Sequence, residues 1–160
     1  MPSTYTPIAT TTLGSAASQV IFSSISSAYT DLILIVNAGL STQGAMNVRL
    51  NGDTGTNYST TRLYGNGSTA SSDRFSNQDY LDLGFFPNDL NNNSIIHFMN
   101  YSNTTTNKTI LTRWNSTGFA TATVSLWRST SAINAIRLYS SLGYNLNAGS
   151  TFTLYGVKSA

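Results

Sequence analysis

The sequence predicts an all-β domain, and three observations carry that reading. The usual builders of long helices are missing: all six acidic residues are Asp, Glu is absent, and Lys occurs twice in 160 residues. Ser, Thr, Asn and Gly fill the polar positions, beside nine Tyr and seven Phe; Thr, Tyr and Phe suit strands, while Asn, Gly and Ser suit turns. Short apolar runs recur between turn signals about every 10–15 residues, the spacing of a sandwich, a jelly roll or an open barrel.

The organising stretch is Asp31-Leu32-Ile33-Leu34-Ile35-Val36-Asn37. Its apolar run is too short for a membrane span, which takes about 20 residues. Ile and Val favour the pleated conformation. The run does not alternate, so a central strand covered on both faces is expected.

The elements before it are weaker. Met1–Thr6, with Pro2 and Pro7 close by, reads as a polar arm or edge segment. Residues 1–12 together form an expected N-terminal arm and first edge strand, and 13–160 a single sandwich domain. Pro7–Leu13 is a first strand ended by Gly14, and Gln19–Phe22 a second.

After the central run, Ala45–Leu50 sets Met46, Val48 and Leu50 on one face and Arg49 on the other. Asn51-Gly52 follows, a pair that tolerates positive φ at both central positions of a hairpin turn. Tyr58–Tyr64 is the next strand. Ser68–Asn77 is polar enough to read as mobile surface, and Tyr80–Phe85 is a short strand stopped by Pro87. Ser94–Tyr101 alternates poorly and is expected to be buried on both sides. Lys108–Trp114, Ala120–Arg128, Ile133–Tyr139 and Ser150–Val157 complete the candidate segments, of which about nine or ten are expected as strands. Within 120–128, Ala122, Val124 and Leu126 face one way and Thr121, Thr123, Ser125 and Trp127 the other.

Charge excludes some partners. The net charge is +2, and Arg49, Arg62, Arg74, Arg113, Arg128 and Arg137 are scattered, a poor electrostatic footprint for nucleic acid. No membrane partner is expected. Cys is absent, so disulfides and thiolate metal sites are impossible. The first residues show no basic and apolar secretion signal. The seven Asn-x-Ser/Thr triplets, beginning at Asn57, Asn66, Asn92, Asn100, Asn103, Asn107 and Asn115, are therefore expected as by-products of composition rather than glycan sites.

Catalytic and metal sites find little support. A Ser-His-Asp device needs His97, which sits in the apolar run Ile95-Ile96-His97-Phe98-Met99 and reads better as a structural or interface histidine. One His and no Cys all but exclude structural zinc. Asp79 with Asp82, or Asp53 with Asp73, are the available carboxylate pairs for glycoside hydrolysis, yet each is explained more simply as a turn or cap residue. Asn51–Asn57 resembles an oxygen-rich calcium loop but lacks a second acid, so a hairpin turn is the expectation. No catalytic residue, cofactor or metal is assigned.

Three segments also carry a family resemblance: Tyr5–Ala16, Val20–Ile25 running on to Tyr29–Leu34, and Ala148–Val157. Arg49-Leu50-Asn51-Gly52-Asp53, followed by Asn57-Tyr58-Ser59, lies between them. Together they resemble a family of small virion proteins from tailed bacteriophages, including cyanophages. The likeness runs the length of the chain, although its end motifs do not separate capsid from tail members.

The resemblance implies an antiparallel β-sandwich, jelly-roll-like, of about eight to ten strands. It further implies a capsid decoration (cement) protein on the virion surface, assembled in the host cytoplasm. The expected partners are the major capsid protein and other copies of the chain, as a trimer. Aromatic side chains make good interface anchors. The expected contacts are therefore Tyr5, Pro7 and Ile8 of the arm, with Trp114, Phe119, Trp127 and Tyr144. The alternative is a tail or tail-fibre component with a host-adhesion or carbohydrate-binding role.

Overall fold

The computed structural model describes residues 4–90, 92–116 and 118–158; Met1, Pro2 and Ser3 of the expected arm lie outside the described residues. The described residues form twelve strands: β1 (Tyr5–Thr12), β2 (Gln19–Phe22), β3 (Asp31–Asn37), β4 (Gly44–Leu50), β5 (Tyr58–Gly65), β6 (Ala70–Gln78), β7 (Leu81–Phe86), β8 (Asn93–Phe98), β9 (Lys108–Ser116), β10 (Phe119–Trp127), β11 (Ile136–Tyr139) and β12 (Thr151–Val157). They form two antiparallel sheets, ordered β1-β12-β3-β8-β9-β10-β5-β6 and β2-β11-β4-β7.

Four pairs nest inside one another along the chain: β1 with β12, β2 with β11, β3 with β8 and β4 with β7. Successive pairs alternate between the two sheets, which is the wrapping of a jelly roll. Two hairpins are inserted into that frame. One, β5–β6, leaves between β4 and β7; the other, β9–β10, leaves between β8 and β11. They join to each other through β10 and β5, and to the frame through β8 and β9, so one sheet grows to eight strands.

The core lies between the four-stranded sheet and the frame half of the large one. Leu32, Leu34 and Val36 of β3 meet Met46, Val48 and Leu50 of β4 there, all fully buried. Each such side chain contributes about 1.5–3 kcal/mol by burial. The expected alternation in β4 is present. The expectation that β3 is covered on both faces is corrected: Ile33 is half-buried and Ile35 is 40% exposed. β8 differs from expectation in the same way, with Ile95 38% exposed. One sheet packs across from them, and nothing among the described residues covers the other side.

The remaining differences are local. Of residues 1–12, expected as an arm and first edge strand, 5–12 are an edge strand paired with β12 from Tyr5↔Val157 to Thr12↔Thr151. Pro7, which has no N–H to offer a neighbour, and a bulge between Pro7 and Ala9 blunt this edge. The segment expected as mobile surface, 68–77, is largely β6, an exposed edge strand. The eleven segments read from sequence all contain strands, and with β6 the described residues hold twelve, above the eight to ten expected. The Asn51-Gly52 turn has the predicted positive φ values, 51° and 69°.

Candidate functional site

The residues singled out from sequence are scattered. Tyr5 and Pro7 are exposed on β1, while Ile8 is half-buried against the core. Trp114 and Trp127 are 5% and 2% exposed, so neither belongs to the accessible surface and both are corrected from contact anchors to packing residues. Trp127 stacks on Tyr58 at 6.2 Å and donates its indole N–H to Asp53 Oδ2 at 2.7 Å. Trp114 stacks on Phe86 at 6.3 Å. Phe119 is 39% exposed at the start of β10, and Tyr144 is half-buried against Gly44.

The acids are committed elsewhere. Asp53 accepts from Gly55 N at 2.8 Å and Asn57 Nδ2 at 2.9 Å as well as from Trp127, which makes 51–57 a hydrogen-bonded turn. Asp79 pairs with Arg49. The partners differ for each acid, and neither available pair, Asp79 with Asp82 or Asp53 with Asp73, shares a hydrogen-bond or ion-pair partner among the described residues. A different pair does meet: Asp73 and Asp82 flank the Arg62 guanidinium at 2.7 and 3.4 Å. His97 sits 2.8 Å from Asp31 Oδ2, whose other oxygen accepts the N–H of Asn100 at 2.6 Å. Among the described residues no three His, Cys, Asp or Glu side chains gather as a metal site would require.

Two surfaces stand out that sequence reasoning did not find. The first is the outer face of the eight-stranded sheet. Register places Ile35, Ile95, Arg113, Ala122 and Leu63 side by side across five strands. The next row on that face is Ile33, His97, Leu111, Val124 and Thr61. Leu63 is 61% exposed and Val124 55%. Two shallow depressions of about 800 and 420 Å³ share Leu63, Ile95, Arg113 and Ala122, so the face is concave there.

The second is a cleft of about 290 Å³ lined by Arg62, Tyr64, Phe85, Trp114, Phe119 and Thr121. It sits where β7 crosses the inner face of β9, β10 and β5. Tyr64 and Phe119 are 6.3 Å apart and tilted, and the Arg62 guanidinium lies 5.2 Å from the Tyr64 ring centroid. Burial pushes the Asp82 carboxyl up, against the pull of the Gly84 N–H and Arg62, and Asp73 pushes it the same way. Three buried atoms of the lining side chains, Arg62 Nε, Trp114 Nε1 and Thr121 Oγ1, have no hydrogen-bond partner among the described residues.

The sequence held part of this signal. The alternation in 120–128 separates an apolar set from a Thr/Ser set, but it does not say which set points inward. The usual rule chooses wrongly here, because Thr121, Thr123 and Ser125 are buried and Val124 is not. Fold and surfaces define a jelly-roll sandwich that presents an open apolar sheet face. No family model matches the chain, and no curated protein matches its sequence.

Proposed function

We propose that this chain is a bacteriophage virion structural protein, a capsid decoration (cement) protein that docks on the outer shell through the open face of its large sheet. The observation that carries the docking reading is that contiguous apolar face. A monomer rarely leaves such a patch in water without a partner for it.

Chemistry narrows the occupant. Arg113 lies within the patch, between Ile95 and Ala122 in the cross-strand register. A second copy stacked across a two-fold axis at that point would oppose Arg113 to its own mate. A shell subunit offering apolar side chains and a carboxylate fits instead. The blunted β1 edge likewise disfavours growth by strand addition. A trimer would bring three faces to the lattice, and weak contacts to a repeating surface add by effective concentration.

Quantitative mass spectrometry of purified virions tests the placement. A copy number comparable to the major shell subunit is expected. A number fitting one tail structure would favour the second reading, a tail or fibre component in host adhesion, for which the exposed rings of Phe119 and Phe85 are suitable contacts. Absence from the particle would discard both. In a shell-binding assay, Val124→Asp with Leu63→Asp should abolish occupancy while leaving the melting temperature within a few degrees, since both side chains are exposed. Full occupancy by that variant would end the proposal that this face docks.

A further inference from the structure

We propose that the outer face of the four-stranded sheet carries a docking site for an acidic segment of another protein, in which Arg137 and Arg49 hold a side-chain carboxylate. Ile136, Leu138, Val48, Leu50, Val20 and Phe22 point into the core, so alternation sends Arg137, Arg49 and Ile21 outward. Register sets these three side by side, with Ile21 against Arg137 and Arg137 against Arg49. Like charges directly opposite on neighbouring strands repel. Both guanidiniums lie over the Tyr139 ring, with Cζ 4.5 Å from its centroid for Arg137 and 5.1 Å for Arg49.

Compensation of the two cations is one-sided. Arg49 donates from Nε to the Asp79 carbonyl at 3.1 Å and from Nη2 to Asp79 Oδ2. Asp53, which the charge of Arg49 also reaches, is already held by Trp127, Asn57 and Gly55. Arg137 forms no hydrogen bond or ion pair among the described residues. Its Nε is buried, but its two terminal nitrogens and Arg49 Nη1 are not, so those are the donors within reach of a ligand. The charges that act on the Tyr139 phenol are Arg49, Arg137 and Asp79, an excess of one cation. Contact with the ring accounts for the stem of Arg137 and not for its head, and an accessible guanidinium fork matches a carboxylate.

The surroundings select the carrier of that carboxylate. Ile21 is 50% exposed beside Arg137. An inorganic anion leaves it in water, whereas an acidic side chain brings neighbouring chain atoms to cover it. Nucleic acid takes a run of cations, and this face offers one pair. A second copy has no acid to give: Asp31, Asp53, Asp73, Asp79 and Asp82 are bonded as described, and Asp89 also has a partner. This face lies on the opposite side of the sandwich from the open apolar sheet, so the inference does not rest on the shell-docking reading.

The test is a titration of the ¹⁵N-labelled chain at low salt with acetyl-Leu-Glu-Leu-amide. Acetyl-Leu-Gln-Leu-amide, sodium sulfate and a DNA oligonucleotide are the comparators. With the Glu peptide, the Arg137 Nε–H and Ile21 amide signals should move together and saturate. Followed at the Ile21 amide, Arg137→Gln should weaken binding about five-fold. Asp79→Asn, at a side chain 44% exposed, frees Arg49 and should tighten it, which a purely structural Arg137 would not do. Val124→Asp with Leu63→Asp should leave it unchanged, so failure of this site and failure of the shell-docking face are separate results. The proposal is overturned if the Glu peptide moves neither signal, if the Gln peptide moves them equally, if sulfate or DNA binds more tightly, or if either Arg137→Gln or Asp79→Asn binds as the parent does.

Discussion

At β3 and β8, the face turned toward the small sheet carries Leu32, Leu34, Val36, Ile96 and Phe98, each fully buried. Several strands along the same sheet, at β10 and β5, that same face carries Thr123, Ser125, Thr60 and Arg62, while Val124 and Leu63 point outward. The frame half meets a whole opposing sheet. The inserted half meets mainly β7, and its inner face is held by hydrogen bonds such as Thr60 to Ser125 at 2.9 Å. Lys108, at the same inner face, is buried with its Nζ donating to the carbonyls of Thr106 and Thr130 at 2.7 and 3.2 Å. The frame half thus buries its apolar side chains against a whole sheet, whereas the inserted half buries Tyr58, Ile110, Trp114 and Trp127 but leaves Val124 and Leu63 on an open surface.

The contact that joins the halves should be the most sensitive. Gly84 has φ +111°, and a Cβ there would lie 2.1 Å from the Trp114 indole. Gly84→Ala adds backbone strain to an overpacked contact and should cost roughly 3–6 kcal/mol in denaturant unfolding. A loss below about 1 kcal/mol would mean that β7 lifts off the inserted hairpins freely, and the two halves would then be less coupled than their packing indicates.

Much of the frame was legible in the sequence, and for a physical reason. β2, β3 and β4 are short apolar segments beside strong turn residues, so their positions read directly, although the unbroken apolar run of β3 concealed its open outer face. The inserted half was not legible in the same way. β6 is Ser/Asn/Gln-rich because it is an exposed edge, and its composition matches that of a loop. The strand β10 has perfect alternation, yet its orientation is set by what lies opposite. The Arg62 cleft draws on β5, β7, β9 and β10, whose proximity depends on the hairpin insertions, and no spacing along the chain announces it.

A pair of core substitutions sharpens the contrast. Leu34→Ala removes a fully buried side chain from the frame and should cost about 2–5 kcal/mol. Thr123→Val, 3% exposed in the inserted half, replaces a hydroxyl without a hydrogen-bond partner by a methyl group. It should stabilise or stay within about 1 kcal/mol of the parent. Equal losses from the two in urea unfolding would show that the inner polar face is as specifically packed as the apolar one.

The smallest and most diagnostic effect is one of pH. Burial pushes Asp53 up, but hydrogen bonds from Trp127, Asn57 and Gly55 outweigh it and hold the carboxyl below its ordinary value. Its stabilisation is present above the unfolded-state value and is lost as pH falls through the lower folded value. Asp82 is shifted the other way by burial. Its protonated form favours the fold below the unfolded-state value, and that contribution is lost as pH rises through the higher folded value. Asp53→Asn should therefore fall further behind the parent as pH rises through the window below the ordinary carboxylate value. Asp82→Asn should gain on the parent as pH rises through the window above it, at no more than about 1.4 kcal/mol per pH unit for either. Unfolding free energies of both variants across pH 2–6 separate the cases: two curves of the same sign would mean that Arg62 compensates Asp82 fully, and the inserted half would then hold its buried charge at no cost to the fold.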